Sequence, residues 1–344
     1  MELVVTVDAE EDQWGPARSG ITSVTNIREV ETLQKLFNDH HVVPTYLLTY
    51  PVVQDEKAAA VFRGLLDAGQ SEVGMHCHPW NTPPYQETMS RHNSMLCNLP
   101  PSLQWEKLLR LHEMLHMRFE RPPLAFRSGR WGFGRETAGI LARLGCRVDT
   151  SITPYTSWAA SEGPDFSSYS PHAFFFSSTD LTRNDLEGDM LEIPVTIGYV
   201  GGSFARCHQL RKRLNRSPFQ RLHLAGVLAK LGLVRSVWLS PERETTARLI
   251  RLLRQSMRER CGIVNLFFHT SSLQVGCTPF VRTPDEKNQL LRSLSTILEF
   301  CQESGVRSVP LSQAAQRIPR PGVGRALTST QQLFTSTNDH WIAS

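Results

Sequence analysis

The chain has 344 residues, of which 40% are hydrophobic and 20% charged, a composition that is ordinary for a globular protein with a large buried core. Its formal net charge of +4 is modest and gives no reason to expect a nucleic acid partner. No apolar run reaches the roughly 18 residues of a transmembrane helix, and the residues after Met1 lack the basic and apolar regions of a signal peptide. The seven cysteines are scattered and form no C-x-x-C pair, which fits reduced thiols. We therefore expect a cytoplasmic location.

Short strands alternate with helices along the chain, beginning with an aliphatic run at residues 3–7. Further strands are predicted at residues 44–49, 71–76, 124–126, 147–149, 174–176, 191–196, 262–268 and 306–309. Helices are predicted at residues 26–39, 56–68, 103–119, 135–144, 241–260 and 284–303. The fifth helix is expected to begin at Pro241 behind a Ser240 cap. This alternation favours parallel βα units, whose active sites lie at the carboxyl ends of the strands.

The segment from Arg206 to Arg235 concentrates positive charge, with eight Arg or Lys residues and no acid. A helix is predicted to start at Ser217-Pro218 within it. We predict one barrel domain over residues 1–318, a basic helical insertion at 203–238 and a flexible tail at 319–344. Two interpretations of the insertion are open: a hairpin whose basic face is solvated, or a surface that contacts anionic substrate or membrane phosphates through residues 206–235.

Unusual polar residues occur at the ends of several predicted strands. Asp8 and Glu10 follow the first strand and should share one face, whereas Glu11 should point to the other. Two carboxylates there would be costly without a cation, either a metal ion or an arginine, unless the strand simply exits into solvent. His76 and His78 also share a face and could reach one ion, although a single histidine is more often a core residue.

Six short motifs occur in an order that resembles the polysaccharide deacetylase family, the NodB-homology esterases of carbohydrate esterase family 4. They are Thr6-Val7-Asp8-Ala9-Glu10, Glu72-Val73-Gly74-Met75-His76, Phe126-Arg127-Ser128-Gly129-Arg130-Trp131-Gly132, Asp149-Thr150-Ser151, Glu192-Ile193-Pro194-Val195 and Phe267-Phe268-His269. The resemblance covers residues 3–275. It implies a distorted (β/α)7 barrel of the NodB-homology type and metal-dependent hydrolysis of an N-acetyl or similar amide on a sugar.

The resemblance also implies roles for individual residues. Asp8 corresponds to the general base, Arg127 to the arginine that holds it, and His269 to the general acid. The metal, most simply Zn²⁺ with Ni²⁺ or Co²⁺ as alternatives, is assigned to Glu10, His76 and His78. Two positions depart from the family pattern. Ala9 stands where many members have the metal-binding acid, and Trp80 stands where the second histidine is usual, so that His78, or failing that His92, must replace it.

Five further residues are assigned to the substrate side of the site: Trp80, Arg130, Trp131, Asp149 and Glu192. Trp80 and Trp131 are candidates to stack on a sugar ring, although core packing is the plain alternative. Asp149 and Glu192 are both candidates to orient His269, or else structural residues at strand ends.

These residues predict a cytoplasmic deacetylase, peripheral to the inner membrane surface if the basic segment binds lipid. Its substrate would be an acylated amino sugar, as a nucleotide- or lipid-linked intermediate of surface glycan synthesis. One alternative is another amide hydrolase or a deformylase acting on a small molecule. The other is a catalytically silent barrel that binds a glycan or a protein. The oligomeric state stays open.

Overall fold

The computed structural model describes residues 1–15, 22–181, 185, 187–214 and 235–319. Within them the strands are β1 Glu2–Ala9, β2 Thr45–Leu48, β3 Glu72–Cys77, β4 Ala125–Ser128, β5 Val148–Asp149, β6 Phe174–Phe176, β7 Met190–Glu192, β8 Ile197–Tyr199, β9 Ser236–Trp238, β10 Ile263–His269 and β11 Arg307–Ser308. The α-helices are α1 Val30–Asp39, α2 Tyr50–Gln54, α3 Glu56–Asp67, α4 Pro101–Phe119, α5 Arg135–Arg143, α6 Phe204–Leu214, α7 Thr246–Arg258, α8 Pro284–Glu303 and α9 Leu311–Arg317.

A curled, mostly parallel sheet forms the centre of the fold, in the order β10-β1-β2-β3-β4-β5-β7-β6, with β11 beside β1. Only β6 runs antiparallel in it, against β7. Backbone hydrogen bonds from Thr196 N to Asn265 O (3.1 Å) and from Phe267 N to Leu239 O (3.1 Å) connect the chain beyond β7 and β9 to β10. The ends of the sheet are thereby drawn together, and the predicted distorted α/β barrel is confirmed.

The parallel register places the polar strand ends beside one another. Asp8 is the partner of His269 across β1 and β10, and His76 is the partner of Arg127 across β3 and β4. These strands are buried along nearly their whole length, as expected for a parallel sheet covered on both faces. Residues far apart in sequence therefore meet at one edge of the barrel.

The predicted start of the helix at residues 241–260 is wrong. The helix α7 begins at Thr246 with Thr245 as its N-cap, not at Pro241 behind Ser240. The Glu242 carboxylate accepts hydrogen bonds from His269 N (3.1 Å) and from the Ser272 hydroxyl, and these bonds hold residues 241–245 in a turn toward the sheet. The helix predicted at 284–303 is found with its capping box, Thr283 and Glu286 bonding each other's backbone N–H.

Part of the basic segment falls outside the described residues. Arg216, Arg221, Lys230 and the helix predicted from Ser217 lie there, as do residues 320–344 of the predicted tail. The described portion contains α6 and the short antiparallel pair β8–β9, which sequence periodicity did not predict. Among the helices that are described, none has the length and apolar character needed to cross a bilayer.

A buried lysine holds the long loop that follows β3. Lys107 on α4 is inaccessible to solvent, and its Nζ donates to the carbonyl oxygens of Pro79 (2.9 Å), Thr82 (2.7 Å) and Pro84 (2.6 Å). It also forms an ion pair with Glu87 Oε1 at 2.9 Å. A single cation thus connects several turns of the loop that begins at His78 and Trp80 and lines the site described below.

Replacing Lys107 with methionine is expected to lower the free energy of unfolding by about 3–5 kcal/mol, because it leaves Glu87 buried without a counter-ion. Urea denaturation measures this change. Arg110→Met on the same helix is the control, since Arg110 pairs with Glu113 at 3.7 Å in solvent and should contribute less than about 1 kcal/mol. Equal effects of the two substitutions would show that Lys107 does not anchor the loop.

Candidate active site

The site is a cavity of about 330 Å³ at the carboxyl ends of β1, β3, β4 and β10. Its lining includes the predicted residues Asp8, Glu10, His76, His78, Trp80, Arg127, Arg130, Trp131 and His269, together with Trp14, Met95, Trp158 and Arg243. Carboxylates and imidazoles lie at its floor, and tryptophans and arginines form much of the remaining wall. Its volume is within the usual range of small-molecule sites.

Asp8 is held by a buried arginine. Arg127 Nη1 donates to Asp8 Oδ1 at 2.6 Å, and Nη2 donates to the hydroxyls of Thr6 (2.6 Å) and Thr150 (3.1 Å). Burial of Asp8 opposes ionisation, but the Arg127 guanidinium and the His76 and His269 rings outweigh it and lower the pKa of Asp8. Asp8 is therefore an ionised acceptor whose second oxygen, Oδ2, lies 3.7 Å from His269 Nε2.

Glu10, His76 and His78 converge on one point. Glu10 Oε2 lies 3.8 Å from His76 Nε2 and 3.7 Å from His78 Nε2, distances too long for hydrogen bonds. His76 Nδ1 donates to the carbonyl oxygen of Arg127 at 3.0 Å, and His78 Nδ1 lies 3.2 Å from Glu11 Oε1. Because Nδ1 of each ring faces an acceptor, Nε2 is the atom of each ring left for a metal ion. Burial disfavours the charged His78 ring, but Glu11, Glu10 and Asp8 outweigh it and raise the pKa of His78, so a metal ion that bound there would displace a proton.

This arrangement fits a divalent metal ion. One carboxylate oxygen and two imidazole nitrogens, all buried, lie within 4.8 Å of one another. They approach without bonding, which leaves the space that an ion would occupy. Two histidines and one carboxylate match the ligand set of three that catalytic zinc uses with a fourth position left open. The geometry is compatible with Ni²⁺ and Co²⁺ as well.

Glu11 supports His78 from behind, contrary to the expectation that it points away from the site. Its carboxylate accepts from Trp80 Nε1 at 3.2 Å and from Asn81 Nδ2 at 2.8 Å, in addition to facing His78. Burial of Glu11 opposes its charge, but the His78 ring outweighs it and lowers the pKa of Glu11. The rule of alternating faces failed here because β1 ends at Ala9, so that Glu11 no longer follows the strand.

Replacing Glu11 with glutamine is expected to weaken zinc binding by about 10–100-fold, because the neutral amide no longer fixes and polarises the His78 ring. Competition with a chromogenic chelator measures the change in Kd. Glu242→Gln is the matched control, since Glu242 bonds His269 rather than a member of the cluster. Unchanged zinc affinity in Glu11→Gln would remove Glu11 from the metal site.

His269 is oriented by Glu242, not by Asp149 or Glu192 as the sequence suggested. Glu242 Oε2 lies 2.9 Å from His269 Nδ1, which leaves Nε2 directed toward Asp8. Burial disfavours the charged ring, but the carboxylates of Glu242, Glu10 and Asp8 outweigh it and raise the pKa of His269 to about 9. His269 is thus a protonated donor at neutral pH, beside an ionised acceptor.

Asp149 and Glu192 form a separate buried pair and do not line the cavity. They are register partners across β5 and β7, and both are inaccessible to solvent. Ser151 donates to Asp149 Oδ1 at 2.7 Å, and Ile152 N donates to Glu192 Oε1 at 3.0 Å. Burial and the neighbouring Asp149 raise the pKa of Glu192 well above its ordinary value. Their role is structural, and their assignment to substrate binding is not supported.

Comparisons with known proteins match this geometry at the level of the fold. No protein-family model and no curated protein matches the chain. Among solved structures, a protein assigned as a polysaccharide deacetylase from Mycobacterium smegmatis has a TM-score of 0.55 and 16% identity, over 92% of this chain and 88% of that one. A protein assigned as a glycoside hydrolase/deacetylase from Parabacteroides distasonis has a TM-score of 0.56 and 11% identity, over 92% and 70%. Puue allantoinase has a TM-score of 0.51 and 12% identity, over 92% and 89%. The chain has the polysaccharide deacetylase fold.

Within this deacetylase fold, the structure explains one departure from the motif pattern, Trp80 in place of a histidine. Trp80 is not a ligand, since its ring stacks on His78 at 4.2 Å between centroids and so confines that ring from one side. The alternative prediction that His92 is the second histidine ligand is contradicted, because His92 is exposed and pairs with Glu162 at 3.1 Å. Of His78 and His92, only His78 therefore lies beside Glu10 and His76.

The turn after β4 in the deacetylase fold brings backbone against the His78 ring. Gly129 has no space for a side chain, because a Cβ there would overlap the His78 ring. Arg130 and Trp131 follow with φ of 52° and 64°, the left-handed region that non-glycine residues rarely adopt. Such conformations persist where the surroundings enforce them, frequently at functional sites.

Several lining or supporting residues were missed in the sequence. Glu242 and Arg243 fall in the helix predicted at 241–260, and Trp14 and Trp158 lie outside every predicted strand and helix. Glu242 follows shortly after β9, and because that strand was not predicted, the sequence offered no strand end to which Glu242 could be assigned. Trp14 packs edge-on against His269, with centroids 4.9 Å apart, and nothing in its local sequence indicates that contact.

Proposed function

We propose that this protein is a metal-dependent hydrolase that removes an N-acetyl or similar acyl group from an amino sugar. The observation that carries the proposal is the convergence of Glu10 Oε2 with the Nε2 atoms of His76 and His78 at 3.8 and 3.7 Å. Beside this cluster lie an ionised acceptor, Asp8, and a protonated donor, His269, 3.7 Å apart. Hydrolysis of an amide needs these two proton-transfer groups.

Glu10, His76 and His78 would hold the metal, with Zn²⁺ as our first assignment and Ni²⁺ or Co²⁺ as alternatives. A divalent cation held there would polarise the amide carbonyl and lower the pKa of water. Asp8 accepts a proton from the attacking water as its oxygen adds to the carbonyl carbon. His269 Nε2 donates a proton to the amide nitrogen as the C–N bond breaks, and Glu242 stabilises the imidazolium before that transfer.

The aromatic walls of the cavity suit a sugar ring. Trp80 and Trp131, with Trp14 and Trp158, offer faces or edges on which a pyranose can stack. We propose a nucleotide- or lipid-linked intermediate of surface glycan synthesis as the substrate, in the cytoplasm or at the inner face of its membrane. The basic segment 206–235 supports contact with phosphate or with a membrane surface through its charge alone.

A second candidate is hydrolysis of a small non-sugar amide or a formyl group. The cavity has a volume of about 330 Å³ and holds only a compact ligand. This size favours a small amide as the substrate. Puue allantoinase, which is similar in fold, shows by its name that such folds act beyond polysaccharides. The two candidates place the same demands on Asp8 and His269.

An acetate-release assay distinguishes the candidates. Zinc-loaded protein is incubated with N-acetylated sugars, nucleotide-linked N-acetyl sugars, and small acyl and formyl amides. We expect acetate only from the sugar compounds, and its release should fall by about 10²–10⁴-fold in Asp8→Asn. Release of acid only from the small amides would favour the second candidate, and none from any compound would count against both.

A further inference from the structure

Two arginines of the cavity wall lack a carboxylate partner. Among the described residues, neither Arg130 nor Arg243 forms a side-chain hydrogen bond or ion pair, although both line the cavity with Asp8 and His269. The ranges outside the description contain a single acid, Asp339. Arginine keeps its charge in proteins, so two guanidinium groups line the cavity without a carboxylate bonded to them.

Arg243 is positioned by aromatic rings. Its guanidinium lies 4.8 Å from the centre of the Trp238 ring and 5.5 Å from that of Phe280. Burial lowers the pKa of Arg243, and the nearby carboxylates of Glu242 and Glu244 partly oppose this. Neither carboxylate bonds Arg243, because Glu242 bonds His269 at 2.9 Å and Glu244 pairs with Arg235 at 2.8 Å. The rings therefore orient a cation whose donors remain available to a ligand.

Arg130 is positioned by the backbone. It has a left-handed conformation in the turn that packs against His78, and it is partly buried. Burial and the like charge of Arg91 lower the pKa of Arg130, so its surroundings concentrate positive charge rather than neutralise it. A strained backbone that holds an unpaired cation at a cavity needs a functional explanation.

We propose that Arg130 and Arg243 bind an anionic oxygen group, phosphate or carboxylate, on the substrate whose acylated nitrogen lies between Asp8 and His269. This inference rests on the proposed function, and it specifies the substrate class: a charged rather than a neutral acylated sugar. Guanidinium groups bind such oxyanions with paired, charge-assisted hydrogen bonds.

The anion site then lies in the cavity rather than in the described part of the basic segment. Arg211 donates to Ser236 Oγ at 3.0 Å and Arg235 pairs with Glu244, and neither lines the cavity. The positive charge of the basic segment would attract the anionic substrate over a longer range, whereas Arg130 and Arg243 would contact its anionic group directly.

Isothermal titration calorimetry with three probes tests the inference: N-acetylglucosamine, N-acetylglucosamine 1-phosphate and N-acetylmuramic acid. The full chain is titrated with and without zinc. We expect at least one charged probe to bind about tenfold or more tightly than the neutral sugar, and the phosphate and carboxylate probes identify which anion is preferred. Arg130→Met and Arg243→Met should each reduce this preference about tenfold. Arg143→Met is the control, since Arg143 lies over the Trp105 ring at 4.1 Å but outside the cavity.

Equal affinity for all three probes, no binding of either charged probe at millimolar concentration, or a preference that survives both substitutions would overturn the inference. Acetate release is followed separately in the same samples. A charge preference that depends on the two arginines but is accompanied by no hydrolysis would count against the proposed reaction and leave the anion site standing. Hydrolysis without that preference would support the proposed reaction and count against the anion site.

Discussion

Replacing His269 with alanine is expected to lower the turnover of acyl hydrolysis by about 10²–10⁴-fold and to leave the metal content unchanged. The loss follows from the position of His269, whose Nε2 faces Asp8 at 3.7 Å while Glu242 holds its Nδ1. The ring does not belong to the Glu10, His76 and His78 cluster. Initial rates and metal analysis of the same preparation measure the two effects, and normal turnover in His269→Ala would remove the residue from the reaction.

The pH dependence separates a proton donor from a merely structural histidine. Since the pKa of His269 is raised to about 9, the ring is protonated below that pH and can donate a proton. As pH rises through that value the ring loses its proton, and turnover should fall. Glu242→Gln removes the carboxylate that does most to raise this pKa, so the basic limb of the rate profile should move toward lower pH. A basic limb that stays in place in Glu242→Gln would contradict the assignment of the acid.

Replacing Arg127 with methionine is expected to lower the free energy of unfolding at neutral pH by about 3–5 kcal/mol, because the buried Asp8 charge then lacks its counter-ion. The pKa of Asp8 is lowered in the protein, so the stabilisation is present at neutral pH and is lost as pH falls through that pKa. The difference between wild type and Arg127→Met should therefore shrink in acid, where Asp8 becomes neutral.

Urea denaturation at neutral pH and at a pH well below the ordinary Asp value of 3.8 measures the effect. The double variant Asp8→Asn/Arg127→Met is the control, because removal of both partners leaves no unpaired charge and should restore part of the stability. A loss below about 1 kcal/mol at neutral pH would mean that the 2.6 Å contact between Arg127 and Asp8 contributes no more than a surface ion pair.

The sequence predicted those parts of the site that regular strands carry. Asp8, His76, Arg127 and His269 all lie at or near the carboxyl ends of parallel strands, and the resemblance of the surrounding motifs to the deacetylase family indicated their roles. The register then pairs Asp8 with His269 and His76 with Arg127. The barrel itself followed from the alternation of strands and helices together with the order of the motifs.

The site residues whose positions the sequence did not predict lie in loops and turns, outside the regular strands. Glu11 comes after the end of β1, so its direction depends on the Trp80 and Asn81 donors of a distant loop. Glu242 was placed in a helix because Ser240-Pro241 resembles a helix start, but its contact with His269 depends on tertiary packing. Arg243 shares that turn and was missed for the same reason.

The central claim, a metal ion at Glu10, His76 and His78, is tested most directly by metal analysis of protein purified without chelators. We expect about one zinc, nickel or cobalt ion per chain in the wild type, and loss of most of it in His78→Ala, since removal of one of three ligands leaves too few to hold the ion. His92→Ala is the control, because His92 lies in solvent beside Glu162. A wild-type protein without stoichiometric metal, or a His78→Ala variant that keeps it, would contradict the account and favour a catalytically silent barrel.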